Sequence, residues 1–433
     1  MDDAALNAYI AALSAIVRPV RAADYPRPLE PFRALLRALG DPHTAFPAVV
    51  VAGSVGKGTA CHQIAAVLAD GGLRPALYTG PHLHSFRERF VCDGVMISPS
   101  AFVEGVSVVT AAASNAAPGH AFSTFELATA LALWWFSRCR PDVLVLECGL
   151  GGRFDAVGCL PNTLAAFTPI ELEHAAMLGG TLETIAWHKA GIIQPGGLAV
   201  TVPQPPLVMR VLQSEAARVG ARLLTDPQPL PLALFNRHGA AGSGADAVVT
   251  LYNALLPPPA GAAAGGAVGS PQPPGRGERV YVGERAVVID GGHTPGAARW
   301  LHGLIALLVG PETPVRLVVG MLADKNAAGY LRTFDQPRCR ITLTRVRDHR
   351  AAEPEALAAA AALQQASVEV QPEPLAALRS ALIGSEALLV VSGSLRLAAA
   401  AREAFGLLPP ELAVEARATR ALFEGPGYLS RLV

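Results

Sequence analysis

The sequence predicts an α/β protein with two domains, the first built on a mostly parallel sheet and the second a smaller, Rossmann-like α/β domain. Residues 48–78 contain an apolar strand, a glycine-rich turn, a helical pattern and a second strand, which together form the repeating unit of a parallel sheet. Short apolar runs then alternate with helical stretches on both sides of a segment rich in proline and glycine. We therefore predict an N-terminal domain over residues 1–275, which includes a flexible linker at about 257–275, and a C-terminal domain over residues 282–433.

The individual elements follow from the spacing of apolar side chains. Helical spacing predicts a lead-in over residues 5–40, which Pro26, Pro28 and Pro31 interrupt. In the first domain we predict strands at residues 48–52, 75–78, 142–147, 164–167 and 198–202, and helices at 61–68 and 125–139. In the second we predict strands at 286–289, 315–319, 339–342, 368–370 and 387–391, and helices at 295–308, 355–364 and 374–383. Because open sheets of this type bind ligands at the carboxyl ends of their strands, the residues that follow each strand are the candidates for a site.

Composition excludes several classes of function. The 433 residues carry 35 Lys and Arg against 35 Asp and Glu, and a chain without net charge has no global field for nucleic acid or an anionic membrane. At 51% hydrophobic residues, the chain can bury a large core, which excludes disorder over most of its length. The longest apolar stretches, such as residues 127–136, fall short of the roughly 20 residues of a membrane helix. An acidic start and six scattered cysteines predict a cytoplasmic protein without disulfides.

A glycine-rich loop after the first strand carries the sharpest local signal. It reads Gly53-Ser54-Val55-Gly56-Lys57-Gly58-Thr59 and leads into a helix. Glycines let backbone N–H groups turn toward an anion, and the helix N-terminus favours negative charge. Lys57 can neutralise terminal phosphates and the Thr59 hydroxyl can reach a bound Mg²⁺, so we predict a nucleotide site here. The alternative is a tight strand-to-helix turn with a solvated lysine, and the spacing departs from the standard P-loop pattern.

Carboxylates close two further strands. Glu147 is followed by glycines and suits a nucleotide-bound Mg²⁺, the alternative being a strand-end charge that faces solvent. In the second domain Asp290 ends a strand and His293 follows, where the alternative is an Asp cap with a flanking turn. His174 and Lys189 are weaker signals, because a lone His is usually structural and a lone Lys at a helix end usually stabilises the helix dipole.

Taken in order, these segments resemble the folylpolyglutamate synthase/dihydrofolate synthase family of the Mur ligase superfamily. The resemblance runs from about Val51 to Leu397, and the order and spacing of its motifs are highly specific although each motif by itself is weak. The motifs are Ala52-Gly53-Ser54-Val55-Gly56-Lys57-Gly58-Thr59, Leu77-Tyr78-Thr79-Gly80-Pro81-His82-Leu83, Thr124-Phe125-Glu126, Glu147-Cys148-Gly149-Leu150-Gly151-Gly152-Arg153-Phe154-Asp155-Ala156, Lys189-Ala190-Gly191-Ile192-Ile193, Pro274-Gly275-Arg276, Asp290-Gly291-Gly292-His293-Thr294-Pro295, Asp324-Lys325 and Ser392-Gly393-Ser394.

The resemblance implies a Mur ligase-like fold and an ATP-dependent ligase that joins L-glutamate to a folate or other pterin acid through an acyl phosphate. It implies ATP and one or two Mg²⁺ ions as cofactors, a monomer, and a site in the cleft between the domains. By carry-over the catalytic residues are Lys57, His174 and Lys189, and the metal ligands are Thr59, Glu147, His174 and Lys189, with Lys189 carbamylated. The implied nucleotide contacts are Gly53, Ser54, Gly56, Lys57, Gly58 and Thr59 in the loop, with Arg276, Asp290 and His293 from the linker and second domain.

Several positions depart from the family pattern. Val55 stands where the family usually has Asn, and Gly80 stands where it usually has a metal-ligating Ser. Gly239 and Gly242 stand where it usually has Gln and Asn. Two hypotheses therefore remain open. One is a working glutamate ligase, favoured by retention of the charged residues, and the other is a divergent, weak or inactive member that acts as a binding or partner protein, favoured by these losses.

Overall fold

A computed structural model describes residues 2–18, 25–235, 248–255 and 273–424. The chain divides into two compact units, Met1–Leu256 with Glu415–Val433, and Pro257–Val414. Most of the predicted linker lies outside the described residues, as do Gly239 and Gly242. None of the helices within the described ranges is both long and apolar enough for a membrane span.

The first unit contains an eight-stranded sheet. Its strands are β1 (Ala48–Ala52), β2 (Pro75–Tyr78), β3 (Phe90–Cys92), β4 (Val95–Met96), β5 (Val143–Glu147), β6 (Leu164–Phe167), β7 (Leu198–Thr201) and β8 (Arg222–Leu224). They lie in the order β4-β3-β2-β5-β1-β6-β7-β8. Only the pairs β2–β3 and β3–β4 are antiparallel in this sheet. The other six strands, in the spatial order β2-β5-β1-β6-β7-β8, are parallel, with β1 near the centre. A further pair, β9 (Leu230–Pro231) and β10 (Val248–Val249), is antiparallel.

Helices cover both faces of this sheet. They are α1 (Asp3–Ile16), α2 (Glu30–Ala38), α3 (Lys57–Asp70), α4 (Pro99–Ala116), α5 (Thr124–Cys139), α6 (Leu182–Ala190), α7 (Pro206–Arg218) and α8 (Tyr252–Leu255). Side chains of β1 alternate between two cores: Val50 packs in the core that holds α1, α4 and α5, and Val49 and Val51 pack with α3. A strand buried on both faces must be apolar throughout, which explains the continuous run in the sequence.

The second unit is a six-stranded sheet with its own core. Its strands are β11 (Glu278–Val282), β12 (Arg285–Ile289), β13 (Val315–Val319), β14 (Cys339–Leu343), β15 (Ser367–Val370) and β16 (Leu388–Ser392), in the order β11-β12-β16-β13-β14-β15. All neighbours are parallel except β11 and β12. Its helices are α9 (Pro295–Leu308), α10 (Ala327–Leu331), α11 (Pro354–Ala361), α12 (Pro374–Leu382) and α13 (Leu395–Ala404), and a last helix, α14 (Pro410–Glu424), ends the described chain.

The fold class is confirmed, with two α/β units and mostly parallel sheets. Every predicted strand is present within one or two residues of its predicted bounds. Strands β3, β4, β8, β9, β10 and β11 were not predicted. The first five have only two or three residues each and β11 begins with two charged residues, so none contains an apolar run of strand length.

The division into two units differs from the predicted domain bounds after Leu256, where the predicted N-terminal domain continues to residue 275, and at the C-terminus. The C-terminal domain was expected to run to residue 433, whereas residues from Glu415 onward group with the first unit. The reason is a set of contacts made by α14: Glu415 pairs with Arg87, and Phe423 stacks on Phe86 with ring centroids 5.9 Å apart.

Candidate active site

The glycine-rich loop and Glu147 lie at one edge of the first sheet. Strands β1 and β5 are parallel neighbours, and their register places Val51 opposite Glu147. The loop begins directly after Ala52, so it and the Glu147 carboxylate emerge side by side at the carboxyl ends of these strands. In open α/β sheets, ligands bind in the crevice outside the carboxyl ends of the strands.

Backbone contacts hold the loop in shape. The N–H groups of Ser54 and Val55 donate to the carbonyl oxygen of Pro169, at 2.9 and 3.3 Å. The Ser54 hydroxyl donates to the carbonyl of Glu171 and accepts from its N–H, both at 3.0 Å. Ser54 therefore anchors the loop to the segment after β6, and its side chain is committed to the protein rather than to a ligand.

Gly53 and Gly56 are required by the geometry of the loop. Gly53 has φ 152°, and a Cβ there would lie 1.9 Å from the Thr168 hydroxyl oxygen. Gly56 has φ 80° and caps helix α3 in the left-handed region that favours glycine. The two glycines let β1 turn directly into α3, whose first N–H groups have no intrahelical acceptor.

Lys57 and Thr59 lie in the first turn of α3, and both are half-buried. Neither the Lys57 ammonium nor the Thr59 hydroxyl has a hydrogen-bond partner among the described residues. A cation, a hydroxyl and the N–H groups of Lys57, Gly58 and Thr59 thus meet at one helix N-terminus, an arrangement that binds phosphates.

Lys189 is brought to the same loop from helix α6. Its side chain is buried, and Nζ donates to the carbonyl oxygen of Gly53 at 2.6 Å. Burial, with Lys57 nearby, lowers the pKa of Lys189 to about 7. Near neutral pH a substantial fraction of this amine is uncharged, unlike an ordinary surface lysine.

His174 lies in the loop that continues from Glu171, with φ 52° and a half-exposed side chain. Its Nε2 is 3.6 Å from the Glu173 carboxylate, and the charge of Glu173 also acts on Lys189. Ser54 connects this loop to the glycine-rich loop, because its hydroxyl bonds to the backbone of Glu171 and its N–H donates to Pro169.

Glu147 is buried at the end of β5, and one of its oxygens has a structural partner. The N–H of Gly80 donates to Oε2 at 2.9 Å, and Oε1 makes no hydrogen bond to any described residue. Among the described residues, no group of three or more His, Cys, Asp or Glu side chains could hold a metal ion. The predicted ligand set contains only two such side chains, Glu147 and His174, and so depends on other oxygens as well.

Asp155 organises the glycine-rich segment after Glu147, a role that the sequence did not reveal. Its two carboxylate oxygens accept four backbone N–H groups, from Gly149, Leu150, Val157 and Gly158, at 2.9 to 3.3 Å. Burial raises the pKa of Asp155 to about 6, although these donors act in the opposite direction. The carboxylate therefore holds the two ends of the segment 149–158 together.

Aromatic rings lie against the same segment. A Cβ on Gly149 would be 2.8 Å from the Phe125 ring, and one on Gly151 would be 2.7 Å from the Tyr25 hydroxyl. Tyr25 also lies edge-on to Phe154, with ring centroids 6.5 Å apart. The glycines let these rings approach the backbone, so the loop is bordered by apolar, planar surfaces.

In the second unit, Arg276, Asp290 and His293 form a separate group. The Asp290 carboxylate accepts the N–H groups of Gly277 and Gly292, at 2.9 and 2.8 Å. Burial raises the pKa of Asp290, whereas the two N–H groups and the charges of Arg276 and His293 act in the opposite direction. The N-cap of α9 is Thr294, whose hydroxyl accepts the N–H of Ala297 at 3.2 Å, so Asp290 does not cap that helix and its carboxylate holds the flanking turn instead. The nucleotide contacts of Arg276, Asp290 and His293 stay a prediction.

The chain is similar in sequence to known ligases of the Mur type. Residues 275–395 match the family model described as Mur ligase, glutamate ligase domain. The chain is 30% identical to dihydrofolate synthase/folylpolyglutamate synthase of Mycobacterium tuberculosis, over 76% of each chain. It is 35% identical to folylpolyglutamate synthase of Lacticaseibacillus casei over 47% of this chain and 49% of the relative. The match to a bifunctional folylpolyglutamate synthase/dihydropteroate synthase of Haloferax volcanii spans only 23% of that relative.

Solved structures are similar over nearly the whole chain. FolC of Escherichia coli in complex with DHPP and ADP superposes with a TM-score of 0.74, at 25% identity, over 93% of this chain and 97% of that one. The bifunctional folylpolyglutamate synthase/dihydrofolate synthase of Yersinia pestis, complexed with AMPPNP and a Mn ion, gives a TM-score of 0.71 at 26% identity, over 88% and 93%.

A parallel-sheet unit with a glycine-rich loop, followed by a region that matches the Mur ligase, glutamate ligase domain model, defines the Mur ligase class of fold. Within that class, the chain belongs to the folylpolyglutamate synthase/dihydrofolate synthase family.

Proposed function

We propose that this protein is an ATP-dependent ligase that forms an amide between the carboxylate of a folate or pteroate-type acid and the amine of L-glutamate. One observation carries the proposal. The register of β1 and β5 sets Val51 opposite Glu147, so the glycine-rich loop that follows β1 lies beside that carboxylate. Relatives solved with ADP and DHPP, or with Mn, AMPPNP and L-glutamate, support the same set of ligands.

The reaction would proceed in two steps. In the first, a carboxylate oxygen of the acid forms a bond to the γ-phosphorus of ATP, the bond to the β–γ bridging oxygen breaks, and ADP leaves. In the second, the glutamate nitrogen attacks the acyl carbon, gives up a proton, and inorganic phosphate leaves with the electron pair of its C–O bond. The overall products are the amide, ADP and phosphate.

Residues of the loop would stabilise the charge of the first step. The Lys57 ammonium, which has no acceptor among the described residues, would bind the terminal phosphates. The N–H groups of Lys57, Gly58 and Thr59 would bind phosphate oxygens at the positive end of α3. The Val55 side chain is apolar and its N–H donates to Pro169, so the other backbone donors and Lys57 would make the phosphate contacts.

A divalent ion such as Mg²⁺ fits the donors present. The Thr59 hydroxyl and Glu147 Oε1 are hard oxygen ligands without other partners in the described chain, and Mg²⁺ completes its shell with water and phosphate oxygens. When bound, the ion would supply charge neutralisation at the β- and γ-phosphates. His174 and Lys189 stay proposed ligands of a second ion.

Lys189 is well placed for carbamylation. Only an uncharged amine adds to CO₂, with loss of one proton, and burial lowers the pKa of Lys189 to about 7. The product would be a carbamate, an acidic group that can ligate a metal ion. Buried beside Gly53 and near Lys57, such an anion would also meet a compensating positive charge.

Carbon-13 NMR tests the carbamate directly. The chain contains three lysines, Lys57, Lys189 and Lys325, so few signals compete. Protein equilibrated with ¹³C-bicarbonate should show one carbamate carbonyl signal, and Lys189→Met should remove it. Lys325, which pairs with Asp324 at 3.2 Å, provides the matched control, because Lys325→Met should leave the signal in place. A signal that survives in Lys189→Met would contradict the assignment.

A turnover assay tests the ligase itself. Purified protein, ATP, Mg²⁺ and L-glutamate are combined with dihydropteroate or with a reduced folate, and ADP release is followed with and without glutamate. We expect ADP release that requires glutamate and one of the acids. No ADP with any pterin acid, together with no ATP binding by calorimetry, would favour the alternative of an inactive binding protein, to which the losses at Val55 and Gly80 point.

Lys57→Ala tests the phosphate loop. Removing the ammonium should weaken ATP binding by at least about a hundredfold, because a charge-assisted contact to phosphate is lost. Circular dichroism should be unchanged, since Lys57 is half-buried and has no partner in the described chain. Unchanged ATP affinity would remove the assignment of the glycine-rich loop to phosphate binding.

We further expect a monomer in the cytoplasm, which sedimentation and fractionation would check.

A further inference from the structure

The guanidinium of Arg89 lies in the space where a side chain at position 80 would begin. A Cβ built on Gly80 would be 2.8 Å from Nη1 of Arg89 and 3.4 Å from its Cζ. The same Gly80 donates its N–H to Glu147 Oε2 at 2.9 Å. A positive charge and the buried carboxylate of Glu147 therefore lie on either side of one residue that has no side chain.

Three neighbours hold Arg89 in this position. Its Nε donates to Nδ1 of His82 at 3.1 Å, and its Cζ lies 4.7 Å from the centroid of the Phe86 ring. Tyr78 is a further side-chain hydrogen-bond partner. Contacts to a ring nitrogen, a phenol and an aromatic face restrict the guanidinium, so its charge is fixed in place rather than spread over many rotamers.

Arg89 and Glu147 also interact through their charges. Burial lowers the pKa of Arg89, whereas Tyr78 and the charges of Glu147 and Glu88 act in the opposite direction. A guanidinium keeps its proton in proteins even so. Without a cation beside it, the Glu147 carboxylate would repel the phosphates of ATP, and Arg89 offsets part of that repulsion.

We propose that Arg89 is a positioning residue of the nucleotide site: by occupying the space beside Gly80 it supplies a fixed positive charge next to Glu147, in place of a side-chain oxygen at position 80. The inference rests on the proposed function, since it concerns the same site. Its consequence is that ATP binding depends less on a divalent ion than it would with a hydroxyl at position 80 and no guanidinium there.

The experiment measures ATP affinity by calorimetry with Mg²⁺ and with EDTA, and takes the ratio of the two dissociation constants. Arg89→Gln removes the charge and should increase the loss of affinity in EDTA at least about tenfold, as expected for one partly buried charge. Arg89→Lys restores a charge and should return the ratio toward that of the wild type. A merely structural role for Arg89 would affect both variants alike and leave the ratio unchanged.

A second pair of variants at position 80 separates the charge from the missing oxygen. Gly80→Ala and Gly80→Ser introduce the same Cβ, which forces the Arg89 guanidinium out of its position beside Gly80, but only serine adds a hydroxyl oxygen that can ligate a metal ion. Gly80→Ser should therefore reach half-maximal ATP binding at a lower Mg²⁺ concentration than Gly80→Ala. Because Gly80→Ala displaces Arg89 without adding a ligand, it should also increase the loss of ATP affinity in EDTA, which tests the inference if Arg89→Gln fails to fold.

The outcomes are distinguishable. If the wild type binds ATP but Arg89→Gln has the same ratio of dissociation constants, or Gly80→Ala leaves that ratio unchanged, this inference is overturned and the proposed function stands. Absence of ATP binding by the wild-type protein under all conditions would overturn both.

Discussion

Lys189 shows how burial changes the chemistry of one side chain. A lysine at the end of a helix is usually solvated, and the sequence offers no sign that this one is enclosed. In the fold its amine meets the Gly53 carbonyl, and its pKa falls to about 7 because burial and Lys57 disfavour the charged form. Because the pKa of Lys189 differs between the folded and unfolded chains, the free energy of unfolding depends on pH.

The pH dependence of unfolding tests this environment. Between about pH 7 and pH 10 the unfolded chain, with an ordinary lysine, binds a proton that the folded chain has lost, so the free energy of unfolding should rise with pH. The contribution of Lys189 is at most about 1.4 kcal/mol per pH unit, and Lys189→Met should remove it. Urea denaturation of both proteins at pH 7, 8 and 9, in CO₂-free buffer to prevent carbamate formation, measures the difference. Parallel pH profiles would contradict the buried amine.

The glycine-rich loop between β1 and α3 is an element whose shape follows from close packing. The sequence predicted its position and its glycines, but the contact that makes Gly53 indispensable comes from Thr168, which lies after β6 and far away in the chain. Parallel strands bring such distant residues to one edge of a sheet, so a local pattern cannot identify them.

Two alanine variants separate packing from backbone strain in this loop. Gly53→Ala places Cβ 1.9 Å from the Thr168 hydroxyl oxygen, whereas a Cβ on Gly56 meets nothing within 4 Å. Both variants must adopt a positive φ, so each should lose about 1–2 kcal/mol from strain, and Gly53→Ala should lose a further 1–3 kcal/mol from overpacking, roughly. Thermal unfolding of the two proteins measures the difference, and Thr168→Ala should restore part of the loss in Gly53→Ala. Equal unfolding midpoints would contradict the packing argument.

The C-terminal segment links the end of the chain to the beginning of the first unit. Glu415 and Arg87 form an ion pair at 2.6 Å with both side chains more than nine-tenths buried, and Ser85 donates to the same carboxylate at 2.7 Å. The Tyr9 hydroxyl lies 3.3 Å from that of Thr419. The first unit is therefore completed only after the second has been synthesised.

Glu415→Gln should destabilise the whole molecule. It leaves the Arg87 guanidinium buried without its counter-charge, a loss of about 3–5 kcal/mol in comparable buried pairs. The surface pair of Arg138 and Glu104, in which both side chains are more than half exposed, provides the matched control, because Glu104→Gln should change stability little. Guanidinium chloride unfolding compares the two, and an equal effect of both substitutions would show that the C-terminal segment contributes nothing to the first unit.

Most of the architecture could be predicted from local patterns. Strands of a parallel sheet are buried on both faces and read as short apolar runs, and the strand-end motifs of Gly53 to Thr59, Glu147 and Asp290 all lie where those runs end. The grouping of residues from Glu415 onward with the first unit could not be predicted in this way, because the partners of α14 lie more than three hundred residues earlier and leave no local signature.

The amino-acid order therefore establishes the class of fold, the family and the groups available for chemistry, because these depend on local patterns and on the spacing of motifs. Only the tertiary structure decides the state of those groups. It commits the Ser54 hydroxyl to Glu171, lowers the pKa of Lys189 and brings Arg89 against Gly80. The physical reason is that burial, charge and steric exclusion act between residues that are close in space, whatever their distance along the chain.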